Sequence, residues 1–266
     1  MSDSMTYNSI DLSGSTYGLT VIAAPIGLLS GPRLAVSDYG GRHGSAVQGT
    51  FRGPKRFTVR GRVRGSSRSD LLTKLAAIAD VVDPSGGEKL LILDHYSGLA
   101  WYALIDGEIS LDDESAQTAI VEFPWIVPSG YSVAPSETVQ TVTVDESPEG
   151  FNAPASGVVA GNLESAPVWK IRNTSGSTVT SVVLTNTTRT ETATWSGVLT
   201  NNSYLRIDSD RCHVEKSTDG TTWTNAMSGF ASGSAFPKLT DGVANACVLT
   251  GLTAGTVTIT YRARSK

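Results

Sequence analysis

The stretch RFTVRGRVRGSSRSDLLTKLAAIADVVD, residues 56–83, decides the first half of the chain. Its opening part alternates between two kinds of side chain. One parity is apolar and the other is basic or polar: Phe57, Val59 and Val63 against Thr58, Arg60, Arg62 and Arg64. A period of two is typical of a half-buried β-strand. We therefore predict a strand whose apolar side packs under the element that follows and whose arginine side points away from the core.

That next element is predicted to be a helix. Its apolar residues recur at helical spacing and would form one stripe: Leu71, Leu72, Leu75, Ile78, Ala79 and Val82. Ser69 is the expected N-cap, and Asp70 suits the positive N-terminal end of a helix. Asp83-Pro84 and the glycines that follow should end the helix. It is the one helix that the sequence predicts.

Strands are predicted on both sides of this helix, so residues 1–128 are expected to form a small α+β domain. Residues 129–157 are rich in Pro, Ser, Gly and acids, and contain one short alternating run. They are interpreted as an extended linker. Residues 158–266 show no helical period and hold seven short β-branched segments separated by turn residues, which predicts an antiparallel β-sandwich or jelly roll. The predicted class is mainly β.

Composition excludes several functional classes. The 266 residues carry a net charge of −4, with −7 in residues 1–155 and +3 in residues 156–266, so charge alone does not indicate a nucleic-acid binder. No apolar run is long enough to span a membrane. The N-terminus lacks the basic and apolar regions of a signal peptide, and we expect synthesis and folding in a cytoplasm.

No catalytic site is predicted. A nucleophile would need a histidine base, but Cys212 and His213 are neighbours that a strand would place on opposite faces. The acids Asp112 to Glu114 are interpreted as a solvated loop, and Asp208 and Asp210 as a turn between strands rather than a calcium site. We expect no catalytic residue, no cofactor and no metal. The two cysteines, Cys212 and Cys247, are either two thiols or one disulfide.

The most uneven distribution of charge along the chain is an excess of basic residues in one segment. Nine Lys and Arg residues lie between Arg33 and Arg68, against the single acid Asp38. One reading is a solvated face that protects a sheet edge. Arginine is, however, favoured in interfaces. The other reading is a subunit interface in which one copy's basic strip meets another copy's acids, and such heterologous contacts close into rings. The residues of this predicted interface are Arg60, Arg62, Arg64, Asp112, Asp113 and Glu114.

Aromatic residues of the second half give an alternative binding function. Trp195, Tyr204 and Trp223 would form a sugar-stacking platform if they were exposed together, although core packing is the commoner fate of such rings. The stretch STDGTTW, residues 217–223, is close to the Asp-box of sialidases. That motif is a hairpin and not a catalytic element, so Asp219-Gly220 is predicted to be a hairpin turn.

The order of elements resembles the distal tail proteins (Dit) of long-tailed bacteriophages. In the first half the resemblance rests on RFTVRGRVRG, the helix SDLLTKLAAIADVV and LAWYALIDGEISL. In the second half it rests on APVWKIRNTSG, YLRIDSDRCHVEKSTDG and the closing AFPKLTDGVANACVLTGLTAGTVTITYRAR. The family's compact Gly-x-Asn is here Gly242-Val243-Ala244-Asn245, which indicates a longer turn. The resemblance covers nearly the whole chain.

This resemblance implies a structural subunit. Such proteins form a six-fold ring through their N-terminal domains, with C-terminal galectin-like sandwiches projecting outward. The ring joins the tail tube protein to the tail-tip, fibre or tail-associated lysin protein, and DNA passes through its channel. The implied location is the virion tail tip, with assembly in the host cytoplasm. The alternative is a carbohydrate-binding adhesin or receptor-binding tail protein that acts through the C-terminal sandwich.

Overall fold

A computed structural model describes residues 3–27, 29–38 and 45–266. The side chains of seven residues are outside this description: Asp38, Ser45, Ala46, Thr50, Phe51, Asp113 and Glu114. The chain divides into two compact units, Met1–Pro135 and Ser136–Ser265. No helix among the described residues has the length and apolar character needed to cross a membrane.

The described residues of the first unit form strands and one α-helix. Its elements are β1 Met5–Tyr7, β2 Ile10–Asp11, β3 Leu19–Ala23, β4 Pro32–Asp38, β5 Ser45–Arg52, β6 Lys55–Arg64, α1 Arg68–Val82, β7 Lys89–Leu93, β8 Ala100–Ile105, β9 Ser110–Ser115, β10 Thr118–Val127 and β11 Ser132–Val133. The main sheet has the strand order β2-β1-β7-β8-β10-β6-β3, and β9 pairs with β10. Strands β4 and β5 form a separate two-stranded sheet.

Strand β6 follows the predicted alternation. Phe57, Val59 and Val63 are buried, while Arg60 and Arg64 on the other parity are exposed. The buried side belongs to the same core cluster as the stripe of α1, from which Leu71, Ile78 and Val82 are buried. The stripe of α1 is narrower than predicted: Leu75 is half-buried, whereas Leu72 and Ala79 at its border are exposed, because only the side of the helix that faces the core is covered.

The predicted N-cap Ser69 was wrong by two residues. The helix begins at Arg68, and Ser67 caps it with a side-chain oxygen that accepts a hydrogen bond from the Asp70 backbone N–H at 3.2 Å. The Asp70 carboxylate in turn accepts from the Ser66 N–H at 2.7 Å. The Ser67 side chain thus satisfies one free N–H group of the first turn, and the Asp70 carboxylate holds the residue before the cap in place.

The second unit is an antiparallel sandwich. Its strands are β12 Thr138–Val144, β13 Glu149–Ala153, β14 Val168–Asn173, β15 Val179–Asn186, β16 Glu191–Leu199, β17 Tyr204–Asp208, β18 His213–Ser217, β19 Thr224–Asn225, β20 Asn245–Thr250, β21 Gly255–Tyr261 and β22 Arg264–Ser265. One sheet has the order β12-β21-β14-β17-β18-β19 and the other β13-β20-β15-β16. Buried residues of both sheets, among them Trp169 and Trp195, form one core. The mainly-β class, with one α-helix in the first unit, is confirmed.

The segment predicted as a linker, 129–157, contributes strands to the second unit. Strand β12 pairs along its length with β21, from Thr138 opposite Tyr261 to Val144 opposite Gly255. Strand β13 pairs with β20. The division between the units falls between Pro135 and Ser136. Edge strands of this kind bury little of their own surface, so their composition resembles that of a connection.

Candidate assembly surface

The arginine face of β6 lies beside acids of its own chain. Strand β10 runs antiparallel to β6, with Glu122 directly opposite Arg60. The Arg60 Nε lies 3.5 Å from the Glu122 Oε1, and the Arg56 Nε lies 2.7 Å from the Asp106 Oδ2. The sequence pattern predicts the orientation of these arginines but not their partners, which lie 50 and 62 residues further along the chain, Asp106 in the turn after β8 and Glu122 in β10.

The predicted acidic residues lie on a neighbouring strand. Asp112 of β9 faces Ile120 of β10, which in turn faces Arg62 of β6. Two strand spacings, about 10 Å, therefore separate the backbones of Asp112 and Arg62. Asp112 is exposed, and the side chains of Asp113 and Glu114 lie outside the described residues. Basic and acidic members of the predicted interface thus share one sheet within each copy.

The hairpin β4–β5 is the feature that the sequence interpretation missed. The Gly-rich, polar sequence of residues 39–54 favours a long loop or an extended arm, yet Ser45–Arg52 is a strand that pairs with Pro32–Asp38. Residues 39–44 lie outside the described part of the chain. Val36 and Val47 lie opposite each other, with 57% and 58% of their surface exposed. Leu34, two residues before Val36 and on the same parity, is 54% exposed. Among the described residues, neither strand pairs with another sheet, so one face of the hairpin presents an apolar ladder to solvent.

The three aromatic residues proposed as a glycan platform do not lie together. Trp195 is buried in the sandwich core, where its indole N–H donates to the Ala226 carbonyl oxygen at 3.0 Å. This corrects the predicted three-ring platform, because the alternating pattern of β16 places Trp195 on its inner face. Tyr204 and Trp223 are half-buried on the other side of the second unit's larger sheet.

Cations already cover the two remaining rings. The Lys170 ammonium lies 4.7 Å from the centre of the Tyr204 ring and 5.6 Å from that of Trp223. The Arg206 guanidinium lies 4.3 Å from the Trp223 ring and also bonds the Glu215 carboxylate. Cation–π contacts of this length stabilise the surface of the sheet. They occupy ring faces on which a sugar would otherwise stack.

The turn at residues 217–223 is a hairpin connection, as predicted. Strands β18 and β19 pair on either side of it. The Asp219 carboxylate accepts hydrogen bonds from the N–H groups of Thr221 and Thr222 and from the Ser217 hydroxyl. These donors, led by the Thr222 N–H, hold the pKa of Asp219 far below its ordinary value. The low pKa therefore results from turn geometry.

The two acids considered as calcium ligands, Asp208 and Asp210, are bonded within the fold. The Asp208 carboxylate accepts from the N–H groups of Asp210 and Arg211, and Asp210 pairs with Arg264 at 2.5 Å. Within the described part of the chain, no group of three or more His, Cys, Asp or Glu residues is placed to hold a metal ion. Cys212 is exposed and Cys247 is buried, and both are free thiols.

Comparison with known families gives one match, which lies in the first unit. Residues 12–124 match the model of the phage tail protein RIFT-related domain. The matched segment runs from the residue after β2 to the middle of β10, and so includes the hairpin β4–β5, the strand β6 and the helix α1. Most of the first unit is therefore similar to a phage tail domain.

Comparison of structures extends the likeness to the whole chain, which has the fold of a siphophage distal tail protein. The match to Dit (gp 19.1) of phage SPP1 has a TM-score of 0.71 at 12% identity and covers 98% of this chain and 99% of that one. SPP1 Dit is described as a paradigm of the hub adsorption apparatus in phages that infect Gram-positive bacteria.

Two structures of the phage p2 baseplate in its activated conformation, one with Sr and one with Ca, match with TM-scores of 0.59 at 9% and 8% identity. They cover 97% and 98% of this chain, and the same shares of the matched chains. Among curated protein sequences, none is significantly similar to the chain. The resemblance to distal tail proteins that the order of elements predicts is confirmed.

Proposed function

We propose that the protein is a structural subunit of a phage tail tip and that its copies assemble into a ring, of six by resemblance, through the first unit. The observation that carries this proposal is the hairpin β4–β5 with its exposed ladder of Leu34, Val36 and Val47. An isolated two-stranded hairpin is marginally stable in water. A contact with another copy would bury its apolar face and hold it in place.

The proposal also covers the partners and the location of the ring. The ring would join the tail tube protein to a tail-tip, fibre or tail-associated lysin protein and leave a channel through which DNA passes. The location is the virion tail tip, after assembly in the host cytoplasm. No catalysis is proposed. The free thiols, the Asp208 turn and the Asp219 turn have structural explanations, and the matching proteins are structural.

The arginine face of β6 is proposed as a second contact between copies. Arg60→Glu combined with Arg62→Glu should leave the chain folded and prevent assembly. Because Arg60 is paired with Glu122, the control is the exchange Arg60→Glu with Glu122→Arg, which keeps the pair within the chain. If the variant that carries Arg60→Glu and Arg62→Glu formed normal rings, the arginine face of β6 would be a solvated surface and not a contact between copies.

The carbohydrate-binding alternative receives less support. Trp195 is buried, and the rings of Tyr204 and Trp223 are in contact with Lys170, Arg172 and Arg206. Binding on a glycan array that is lost in Trp223→Ala would favour that alternative over a purely structural role.

The proposed ring is tested by light scattering and negative-stain electron microscopy of the purified protein. We expect a concentration-dependent ring that Val36→Asp combined with Val47→Asp abolishes. Val139→Asp is the matched control, because Val139 is also an exposed strand valine, 60% exposed, but belongs to the second unit. A wild-type chain that stays monomeric at high concentration, and gives no ring on isolated tails, would overturn the proposal.

A further inference from the structure

A groove at the C-terminal end of α1 is the other unexplained surface of the first unit. Val82 and Ile105 form its buried floor, with Ile109 half-buried beside them. Ala79, Asp80, Asp83 and Pro84 form one wall, and Gly107 lies on the other. The groove encloses about 590 Å³. Roughly 300–1,000 Å³ is typical of cavities that hold a ligand, so it has room for several aliphatic side chains.

The wall of the groove on the α1 side is acidic, because Asp80 and Asp83 line it. Residues 79–88 contain three acids, Asp80, Asp83 and Glu88, and no Lys or Arg. Of the two acids in residues 105–109, Asp106 pairs with Arg56, and Glu108 lies beside the groove without lining it. The last turn of α1 also holds no basic residue, although the C-terminal end of a helix carries partial negative charge. Asp80 has no ion-pair partner in the part of the chain that the structure describes, so this end of α1 lacks the cation that would stabilise it.

The hairpin β4–β5 has the complementary character. Residues 32–52 contain three arginines, Arg33, Arg42 and Arg52, against one acid, Asp38, a net charge of +2. Arg52 lies opposite Pro32 and therefore shares the parity of Leu34 and Val36. The apolar ladder and one cation of the hairpin thus lie on a single face. That face is complementary to the groove at the end of α1, whose floor is apolar and whose wall on the α1 side is acidic.

We propose that the groove at the end of α1 receives the hairpin β4–β5 of a second copy of this chain. This inference rests on the proposed ring and names its contact. The ladder Leu34, Val36 and Val47 would lie on Val82, Ile105 and Ile109. Arg52, on the same face of the hairpin, would lie beside the acidic wall of Asp80 and Asp83. The two surfaces are different patches of one chain. Such a contact is heterologous, and heterologous contacts close into a ring when the rotation between copies allows it.

Disulfide cross-linking between copies tests this contact. In a Cys212→Ser background, which removes the exposed thiol, Val36→Cys chains are mixed with differently sized Ala79→Cys chains under mild oxidation. We expect a mixed dimer, and a ladder of multimers from the chain that carries both cysteines. The matched control replaces Ala79→Cys by Leu72→Cys, which is 50% exposed on the same helix but about 10 Å further along its axis. It should give less than a tenth of the mixed product.

Each outcome decides the inference. A cross-link within one chain, in monomers that carry both cysteines, would show that the hairpin occupies its own groove and would overturn the contact between copies. Equal yields with Leu72→Cys would show that collision alone forms the bond. Rings without the cross-link would overturn the groove but leave the proposed function intact, whereas the absence of self-association at any concentration would overturn both.

Discussion

Arg60 and Glu122 lie directly opposite each other on neighbouring antiparallel strands, with the Arg60 Nε 3.5 Å from the Glu122 Oε1. Their side chains are 50% and 46% exposed, so solvent screens the attraction between them. Cross-strand pairs of this kind contribute up to about 1 kcal/mol. In the single chain, Glu122 therefore balances the charge of Arg60, one of the arginines on the exposed face of β6.

Charge reversal at Arg60 measures this pair. Arg60→Glu places two carboxylates opposite each other and should lower the free energy of unfolding by about 0.5–1 kcal/mol. Arg60→Glu with Glu122→Arg should recover all but a few tenths of that loss. Urea unfolding of the two single variants and the double variant gives the coupling energy. A double variant as unstable as the sum of both single variants would show that the pair is not formed.

The helix cap supplies a second stability prediction. Ser67→Ala removes the oxygen that accepts from the Asp70 N–H and should cost about 1 kcal/mol. Ser69→Ala is the matched control at the position that the sequence pattern favours, and it should change stability by less than half as much. Thermal unfolding followed by circular dichroism distinguishes them. The reverse order of the two effects would place the helix start at Ser69.

Ser67 and Ser69 show that a sequence pattern predicts a helix but not which of several nearby serines caps it. Alternation along β6 and the helical period of α1 are local properties. The first predicts burial along the strand, and the second predicts the buried Leu71, Ile78 and Val82 but wrongly includes the exposed Leu72 and Ala79. The cap depends on which of several nearby serines meets a free N–H group. The sequence offers Ser66, Ser67 and Ser69 within four residues, and only the path of the backbone selects among them.

Long-range features were harder to predict. Glycines and polar residues around the hairpin obscured the pairing of β4 with β5, and the composition of 129–157 obscured β12 and β13. Trp195 was grouped with Tyr204 and Trp223 because all three are aromatic, whereas burial depends on strand parity and sheet packing. The groove is assembled from α1 and the segment after β8, which are 20 or more residues apart. Pairing and packing of this range leave no local period in the sequence.

The two cysteines should differ in reactivity. Cys212 is exposed, whereas burial raises the pKa of the Cys247 thiol to about 12. Because the thiolate is the reactive form, one thiol per chain should react with a disulfide reagent at neutral pH and the second only after unfolding. Cys212→Ser should remove the fast reaction, and Cys247→Ser should leave it. A native chain with no reactive thiol before reduction would indicate the disulfide that the sequence left open.

Acid should destabilise the second unit through Glu164. The Lys238 ammonium donates to its carboxylate at 2.5 Å, and this hydrogen bond is the largest cause of a lowered Glu164 pKa, with Arg189 at 2.9 Å adding to it. A carboxyl whose pKa is lower in the folded state stabilises the fold above its unfolded pKa. This contribution is lost as pH falls through the folded value.

The Glu164 contribution is small because the side chain is 41% exposed, and solvent screening limits it to less than about 1 kcal/mol. Glu164→Gln should therefore flatten the dependence of the urea midpoint on pH between about 5.5 and 3. Glu146→Gln is the control, since Glu146 is an exposed glutamate of the same unit. Identical pH profiles for the wild type and Glu164→Gln would contradict the assignment.

Asp80 should oppose the stability of the single chain and favour assembly. It lies in the last turn of α1, where acids are unfavourable, and on the wall of the groove proposed for a second copy's hairpin. Asp80→Lys should raise the free energy of unfolding of the monomer by about 0.3–1 kcal/mol and weaken self-association at least about tenfold. Urea unfolding at low concentration and sedimentation at high concentration measure the two effects separately.

The matched control is Asp145→Lys, the same change of charge on an exposed residue of the second unit. It should change neither the stability nor the self-association by as much. If both variants weaken association equally, net charge and not the groove is responsible. If Asp80→Lys assembles like the wild type, the hairpin binds elsewhere.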